Sequence, residues 1–231
     1  MERLQTKNYY DLGQYGYISN SDLSRVKREV AGGFVPKNLK DAYKFGTLAD
    51  SLITQRHTVN TEFMFVEDEA SPGKIITFEE EQIRTAEKMA EVYEADRDIR
   101  NMFSGAKTQY IFLSEKFPVT FEGQELFIKS RIKLDLYYKP NNIGGDIKTT
   151  SCSSERAFIN SIFALDYDRQ SAFYMDNAKI DRFVLIGLGK KTNKQGVHPI
   201  YKYAIKRGSD AYLSGLAKYQ KLVFLHKMMN G

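Results

Sequence analysis

Apolar residues recur along this chain with two rhythms, one of three to four positions and one of two, and the switches between them mark out the elements. From Asn8 to Tyr17 neither rhythm holds; the stretch is polar and aromatic, with glycines at 13 and 16, and reads as a loop or arm. Ser19-Asn20-Ser21-Asp22 supplies capping residues ahead of Leu23, Val26 and Val30, which predicts a short helix, broken by Ala31-Gly32-Gly33-Phe34-Val35-Pro36. A second helix is predicted from about Leu39 to Gln55, with Ala42, Phe45, Ala49 and Leu52 on one stripe. Residues 61–76 are mixed, with a turn at Ser71-Pro72-Gly73. Thr77 is placed to cap a long helix from Phe78 to about Met102, and Ser104-Gly105 to end it. Glu79, Glu80 and Glu81 fall in its first turn, where the backbone dipole favours acids, so this cluster needs no functional reading.

The rhythm of two then takes over. Thr108 to Phe112 and Lys116 to Phe121 read as a hairpin, Glu122-Gly123-Gln124 as the next turn, residues 125–138 as a strand and residues 145–150 as another. Ser153 or Ser154 can cap a helix carrying Phe158, Ile162 and Leu165, and a further helix is predicted over 168–177. Residues 182–188 form an apolar run expected to be a buried strand, 199–205 an edge strand, and a last helix from about Ser209 is expected to bury Leu213, Leu216, Tyr219, Leu222 and Phe224. This order predicts an α/β fold: a mixed central sheet flanked by helices, with an N-terminal helical segment. It fits a single domain over 1–231, with an arm and short helix in 1–35, the core in 36–190, and an edge strand and helix in 191–231.

Composition narrows the classes. Hydrophobic residues make up 42% of the 231, enough for a sizeable core. No apolar run reaches the roughly 18 residues of a membrane span, and the first residues lack a signal core, so a cytoplasmic protein without membrane contact is expected. The single Cys152 rules out an internal disulfide and a four-cysteine zinc or iron–sulfur site within one chain. A net charge of +5 suits a polyanionic partner without demanding one. His57, His198 and His226 show no metal-ligand spacing, and Lys190, Lys191 and Lys194 read as a solvated turn.

The candidate chemistry lies in two strand-like runs. Residues 127–135 end in Asp135; residues 144–150 carry Asp146-Ile147-Lys148; Lys139-Pro140-Asn141-Asn142-Ile143 lies between them. In a hairpin with that turn the two aspartates converge, and two converging carboxylates suit a hard cation such as magnesium. The strand period puts Lys148 on the face of Asp146. Lys129, Arg131 and Lys133 share the face of Asp135, a row able to grip a phosphate backbone. Gln170 and Tyr174 are four apart and share one helical face.

With its neighbours, this pattern resembles the PD-(D/E)xK nuclease superfamily, and most of all the phage-type branch containing exodeoxyribonuclease VIII and the RecB-like nuclease domains. The residues that carry the likeness are Asp146-Ile147-Lys148-Thr149-Thr150, then Phe158, then Tyr167-Asp168-Arg169-Gln170-Ser171-Ala172-Phe173-Tyr174. They are similar to that branch's acid–x–Lys–Thr–Thr followed by Tyr–x–x–Gln–x–x–x–Tyr. Residues 18–23 and Phe45-Gly46-Thr47-Leu48 resemble its N-terminal signatures, so the likeness spans about residues 18–190.

The resemblance implies a restriction-endonuclease-like core and a nuclease that hydrolyses DNA phosphodiesters with Mg²⁺ or Mn²⁺, an exonuclease on duplex ends in recombination or repair. It implies DNA as partner, a single-strand annealing protein beside it, and scope for a homo-oligomer. Asp135, Asp146 and the carbonyl of Ile147 would hold the metal, Lys148 would orient the attacking water, and Gln170 and Tyr174 would form a third motif. Thr149 and Thr150 would line the start of the following helix, near a phosphate. Two positions depart from the branch pattern: Asp50 stands where a histidine is frequent, and Gln109 is the nearest match to a strand glutamate. Asp50 remains a metal ligand in this reading, whereas a neutral amide at 109 would weaken the site. The competing expectations are a DNA-binding or assembly module with weakened catalysis, and an endonuclease.

Overall fold

The computed structural model describes residues 9–33, 39–68 and 73–230. The predicted break at 34–36, the stripe position Ala42 and the turn at 71–72 lie outside the residues whose placement or side chains are described.

Ser19 caps α1 (Asn20–Val30): its hydroxyl accepts from the Asp22 N–H, and the Asp22 carboxylate accepts from the Ser19 N–H at 2.9 Å. This reciprocal pair satisfies two otherwise orphaned donors. Leu23 and Val26 are buried, whereas Val30, expected on the stripe, is 60% exposed at the frayed end. The second helix, α2 (Leu39–Thr54), buries Phe45, Ala49 and Leu52 as its spacing predicts.

Three short strands, β2 (Val59–Asn60), β3 (Phe65–Glu67) and β4 (Ile75–Thr77), form a small antiparallel sheet in the region that reads as mixed. Thr77 therefore ends a strand rather than capping a helix. The helix after it, α3 (Glu80–Ala95), starts from Glu79, whose N–H donates to the Gln82 side chain at 3.0 Å. The single long helix expected here is two. Asp96 leaves the helical conformation, and its carboxylate accepts from the Ile99 N–H at 2.9 Å to cap α4 (Arg97–Phe103).

The main sheet has six strands. β5 (Lys107–Phe121) runs through the stretch expected to contain a turn; it keeps pairing with β6 (Gln124–Tyr138) by means of a register shift between Ser114 and Phe117. The polar pair Glu115-Lys116 thus belongs to a bulge, which bends a strand without ending it. The hairpin turn is Glu122-Gly123, and the hairpin partners are β5 and β6. The other edge of β6 is shared: β1 (Tyr17–Ile18) pairs in parallel with Lys129 and Ser130, and β7 (Ile143–Thr150) pairs antiparallel with residues 136–138. β8 (Arg182–Gly189) lies parallel to β7, and β9 (Ile200–Lys206) closes the sheet antiparallel to β8.

Two apolar clusters form the core. One joins residues of α1, β5, β6, β8 and the helices α5 (Glu155–Ala164), α6 (Tyr167–Ala178) and α7 (Asp210–Asn230); the other joins α2, α3, α4, β7 and β8. Phe158, Phe173 and Phe183 are fully buried in the first; each contributes about 1.5–3 kcal/mol relative to exposure. In α7, Tyr219 and Leu222 are buried as expected, but Leu213 is 49% exposed and Tyr212 takes the inward position. Leu165, placed on the stripe of α5, lies just past its end and is 59% exposed.

Helix α7 reaches α6 so closely at Gly215 that a Cβ there would lie 2.1 Å from the Asp168 carbonyl oxygen. Neither backbone can yield without shifting the helix that carries Gln170. Gly215→Ala is expected to lower stability by roughly 1–3 kcal/mol, the usual range for overpacking. Urea denaturation of the two proteins checks this; an unchanged midpoint would show that the helices are not in such close contact.

Candidate active site

Strands β6 and β7 pair only as far as Leu136 and Gly145 and then part. The next residues on each strand are Asp135 and Asp146, so both predicted acids sit at the fork. Where a further ladder bond would form, the Ile147 N–H instead donates to Asp135 Oδ2 at 2.8 Å. In extended backbone the N–H and carbonyl of one residue face the same edge, so the Ile147 carbonyl is on the side of Asp135.

Three elements close around the fork. From α2, Asp50 approaches Asp135; from β5, Gln109 stands opposite Asp135; from α6, Gln170 donates to Asp146 Oδ1 at 2.7 Å. The Gln109 Nε2 group donates to Asp50 Oδ2 at 3.0 Å and Thr54 Oγ1 at 2.9 Å, and lies 3.4 Å from Asp135 Oδ1. Gln109 holds a left-handed backbone (φ 48°) near the start of β5. For a side chain with a Cβ this costs about 1–3 kcal/mol, offset by surrounding structure. Its Oε1 is buried with no hydrogen-bond partner.

Lys148 Nζ lies 2.5 Å from Asp146 Oδ2, and 5.1 Å from the centroid of the Tyr167 ring. The contact with Asp146 is a close ion pair. Burial pushes the Asp50 carboxyl up to about 6; Lys133 opposes this and Asp146 adds to it. Burial pushes Asp135 well above the usual carboxylate range, reinforced by Asp50 and Asp146. Burial would lower the Lys148 ammonium, but the Asp146 and Asp135 carboxylates more than offset it and raise its pKa. Asp50 and Asp135 keep part of their surface open to solvent, and Asp146 is 3% exposed.

The sequence-predicted residues therefore divide. Asp50, Gln109, Asp135, Asp146, Ile147, Lys148 and Gln170 come together. Tyr174 is buried between Phe173 and Phe183 next to Gln170; burial, then Tyr9, Asp146 and Asp135, raise its pKa, and a hydrogen bond with Gln170 opposes them. Thr149 and Thr150 end β7, four residues before α5, and Thr150 Oγ1 accepts from the Cys152 N–H at 3.1 Å. The expected open row of cations is altered. Arg131 is buried, donating to the Tyr9 carbonyl and lying over the Tyr9 ring at 4.9 Å, so its guanidinium is committed to the N-terminal arm. Lys133 lies 3.2 Å from the Tyr10 hydroxyl, and Lys129 pairs with Glu115 at 3.2 Å.

Sequence reasoning passed over Thr54 and Tyr93, and quoted Tyr167 in its motif without giving it a role. Thr54 lies one helical turn beyond Asp50, a spacing that could have signalled it. Tyr93, whose pKa burial raises together with Asp135 and Asp50, carries no sequence signal.

Among the described residues no three His, Cys, Asp or Glu side chains converge tightly enough to ligate an ion by themselves. The donors that fit a hard cation are a mixed oxygen set: Asp135, Asp146, the Ile147 carbonyl, Asp50, and the buried, unpartnered Gln109 Oε1.

A carboxyl whose pKa is about 6 when folded and near 3.9 when unfolded binds more protons in the native state between those values. Stability then falls as pH rises through this window. Without divalent metal, Asp50 is expected to add roughly 1 kcal/mol of stability as pH drops from 7 to 5, and Asp50→Asn to remove that gain, so that the variant's melting temperature falls relative to wild type at pH 5. Asp96 and Asp166, whose carboxyls are held low, titrate below this window. Thermal denaturation in chelator at pH 5, 6 and 7 checks this; parallel profiles for the two proteins would remove Asp50 from the charge cluster.

Comparison with known proteins bears on the same residues. The chain is similar to two solved structures with a TM-score of 0.36 each. One is the crystal structure of SSO0001 (13% identity, covering 90% of this chain and 85% of that one). The other is a phage related exonuclease from Haemophilus somnus 129PT (15% identity, 94% and 98%). A search of curated proteins finds no match. The family model of a PDDEXK-like domain of unknown function (DUF3799) matches residues 24–195, a span that includes Asp50, Gln109, the strand fork and α6. The chain belongs to this family of PDDEXK-like domains, and so to the PD-(D/E)xK nuclease superfamily with its restriction-endonuclease-like fold.

Proposed function

We propose that this protein is a divalent-metal-dependent deoxyribonuclease that hydrolyses phosphodiester bonds, acting on duplex DNA ends. The observation that carries the reading is the charge imbalance at the fork. Three crowded carboxylates, Asp50, Asp135 and Asp146, face two ammonium groups, Lys148 and Lys133. Asp135, Asp146 and the Ile147 carbonyl would hold Mg²⁺ or Mn²⁺, with Asp50 and Gln109 Oε1 completing the oxygen set. When bound, the ion supplies Lewis-acid polarisation of a phosphate and lowers the pKa of a water.

The chain's own groups do the positioning. Lys148 is kept protonated by Asp146 and Asp135, so it is a fixed cation and not a base. It orients the attacking water and stabilises the charge that grows on the phosphate oxygens. Gln170 keeps the Asp146 carboxylate turned toward the fork through its 2.7 Å hydrogen bond. The Tyr167 ring supports the lysine from below. Gln109 replaces a charged ligand by a neutral one, which lowers the pocket's negative charge without closing it.

The test is incubation with linear and closed circular duplex DNA, with magnesium and with chelator. Cleavage of the linear form alone, only with metal, is expected; cleavage of closed circles would make the enzyme an endonuclease, and no metal-dependent cleavage of either would overturn the reading. Lys148→Ala is expected to lower kcat about a hundredfold or more, with DNA affinity changed much less. A large loss of affinity at unchanged kcat would make Lys148 a phosphate anchor only.

A further inference from the structure

An open cleft of about 670 Å³ lies between the first turns of α3 and the segment that follows β8. Glu81, Arg84, Thr85 and Lys88 line one wall, and Lys190, Lys191, Thr192 and His198 the other. Four of these side chains are cationic and one is acidic. Arg84 is engaged by Glu80 at 2.6 Å, whereas Lys88 and Lys191 are exposed and have no ion-pair partner among the described residues. The loop that carries the lysines is fixed in place. The Lys190 N–H donates to the Thr150 carbonyl at 2.8 Å, its ammonium sits 5.3 Å from the Phe45 ring centroid, and His198 Nδ1 is 2.8 Å from the Gly189 carbonyl oxygen.

These anchors tie the cleft to the strand fork. Thr150 ends the strand that begins its functional run at Asp146, four residues earlier, or about 13 Å at the rise of an extended strand. Phe45 lies on the helix that presents Asp50. The cleft thus adjoins the end of the strand that carries Asp146, within reach of a DNA strand seated at the fork. It is wide and open, and its cations are long and solvated rather than buried. That suits a passing polyanion, held by several weak contacts, better than a single enclosed anion.

We propose that the cleft binds the phosphate backbone of the substrate DNA away from the bond being cut, with Lys88 and Lys191 as its main contacts; the proposal rests on the nuclease reading of the fork. Such contacts release condensed counterions, so each contributes about 0.9 to the slope of log affinity against log salt. The test is fluorescence anisotropy of an end-labelled duplex with the full chain in chelator, from low to physiological salt. Lys88→Glu with Lys191→Glu is expected to weaken binding about tenfold or more and to make the slope shallower by one to two. Lys88→Ala with Lys191→Ala should move both quantities the same way by less. Lys221→Glu with Lys227→Glu, an equal change of net charge on α7, should reproduce the wild type apart from a small uniform shift. If the cleft variants follow the α7 control while the wild type binds and cleaves DNA, this inference fails and the nuclease reading stands. If the wild type neither binds nor cleaves DNA, the nuclease reading fails and takes this inference with it.

Discussion

The separation of β6 and β7 is the constraint on which the rest of the molecule turns. Two strands that stop pairing leave backbone groups without partners, and here the Asp135 carboxylate takes over one of them by accepting from the Ile147 N–H. That single bond holds Asp135 beside the fork, where burial first, and then Asp50 and Asp146, raise the free energy of charging it. Lys148 and Lys133 answer part of the repulsion. What remains is a pocket with more negative charge than its own side chains neutralise, in a place where solvent reaches only some of the oxygens.

Packing makes this arrangement durable. The parallel pairing of β7 with β8 continues from Ile143 to Thr150 and fixes the register of Asp146 and Lys148. The apolar side chains alternating with them, Ile147 among them, are buried against α2, α3 and α4. On the other side α6 is clamped by α7 through the close approach at Gly215 and by the buried Asp168, whose carboxylate accepts from Lys218 and Ser214. Gln170 is thereby held at Asp146 by a helix with little freedom to retreat. The strained backbone of Gln109 belongs to the same economy: a left-handed residue inside a strand aims its amide at Asp50, Thr54 and Asp135.

Much of this was legible in the sequence, and the reasons are physical. The period of two placed Lys148 beside Asp146, and the period of 3.6 placed Gln170 and Tyr174 on one helical face, because these spacings are local and need no tertiary information. The motif likeness brought Asp50 and Gln109 into the same site from positions far apart in the chain. Other features depended on contacts that no local pattern encodes. Glu115 and Lys116 resemble a turn, yet the strand absorbs them as a bulge because β6 continues alongside. Asp96 splits a helix whose apolar spacing runs on, since its carboxylate caps the second half and binds Lys202. Arg131 alternates correctly with Lys129 and Lys133, but the arm's Tyr9 covers it. Tyr93 enters the site only through the way α3 packs.

Calorimetric titration with Mn²⁺ at pH 7 addresses the charge imbalance directly, before any DNA is added. The account predicts that the wild-type chain binds about one or two ions, the range for one-metal and two-metal sites, and that Asp146→Ala loses the main one. Manganese binding that is unchanged by Asp146→Ala would place the ion elsewhere and contradict the account of the fork.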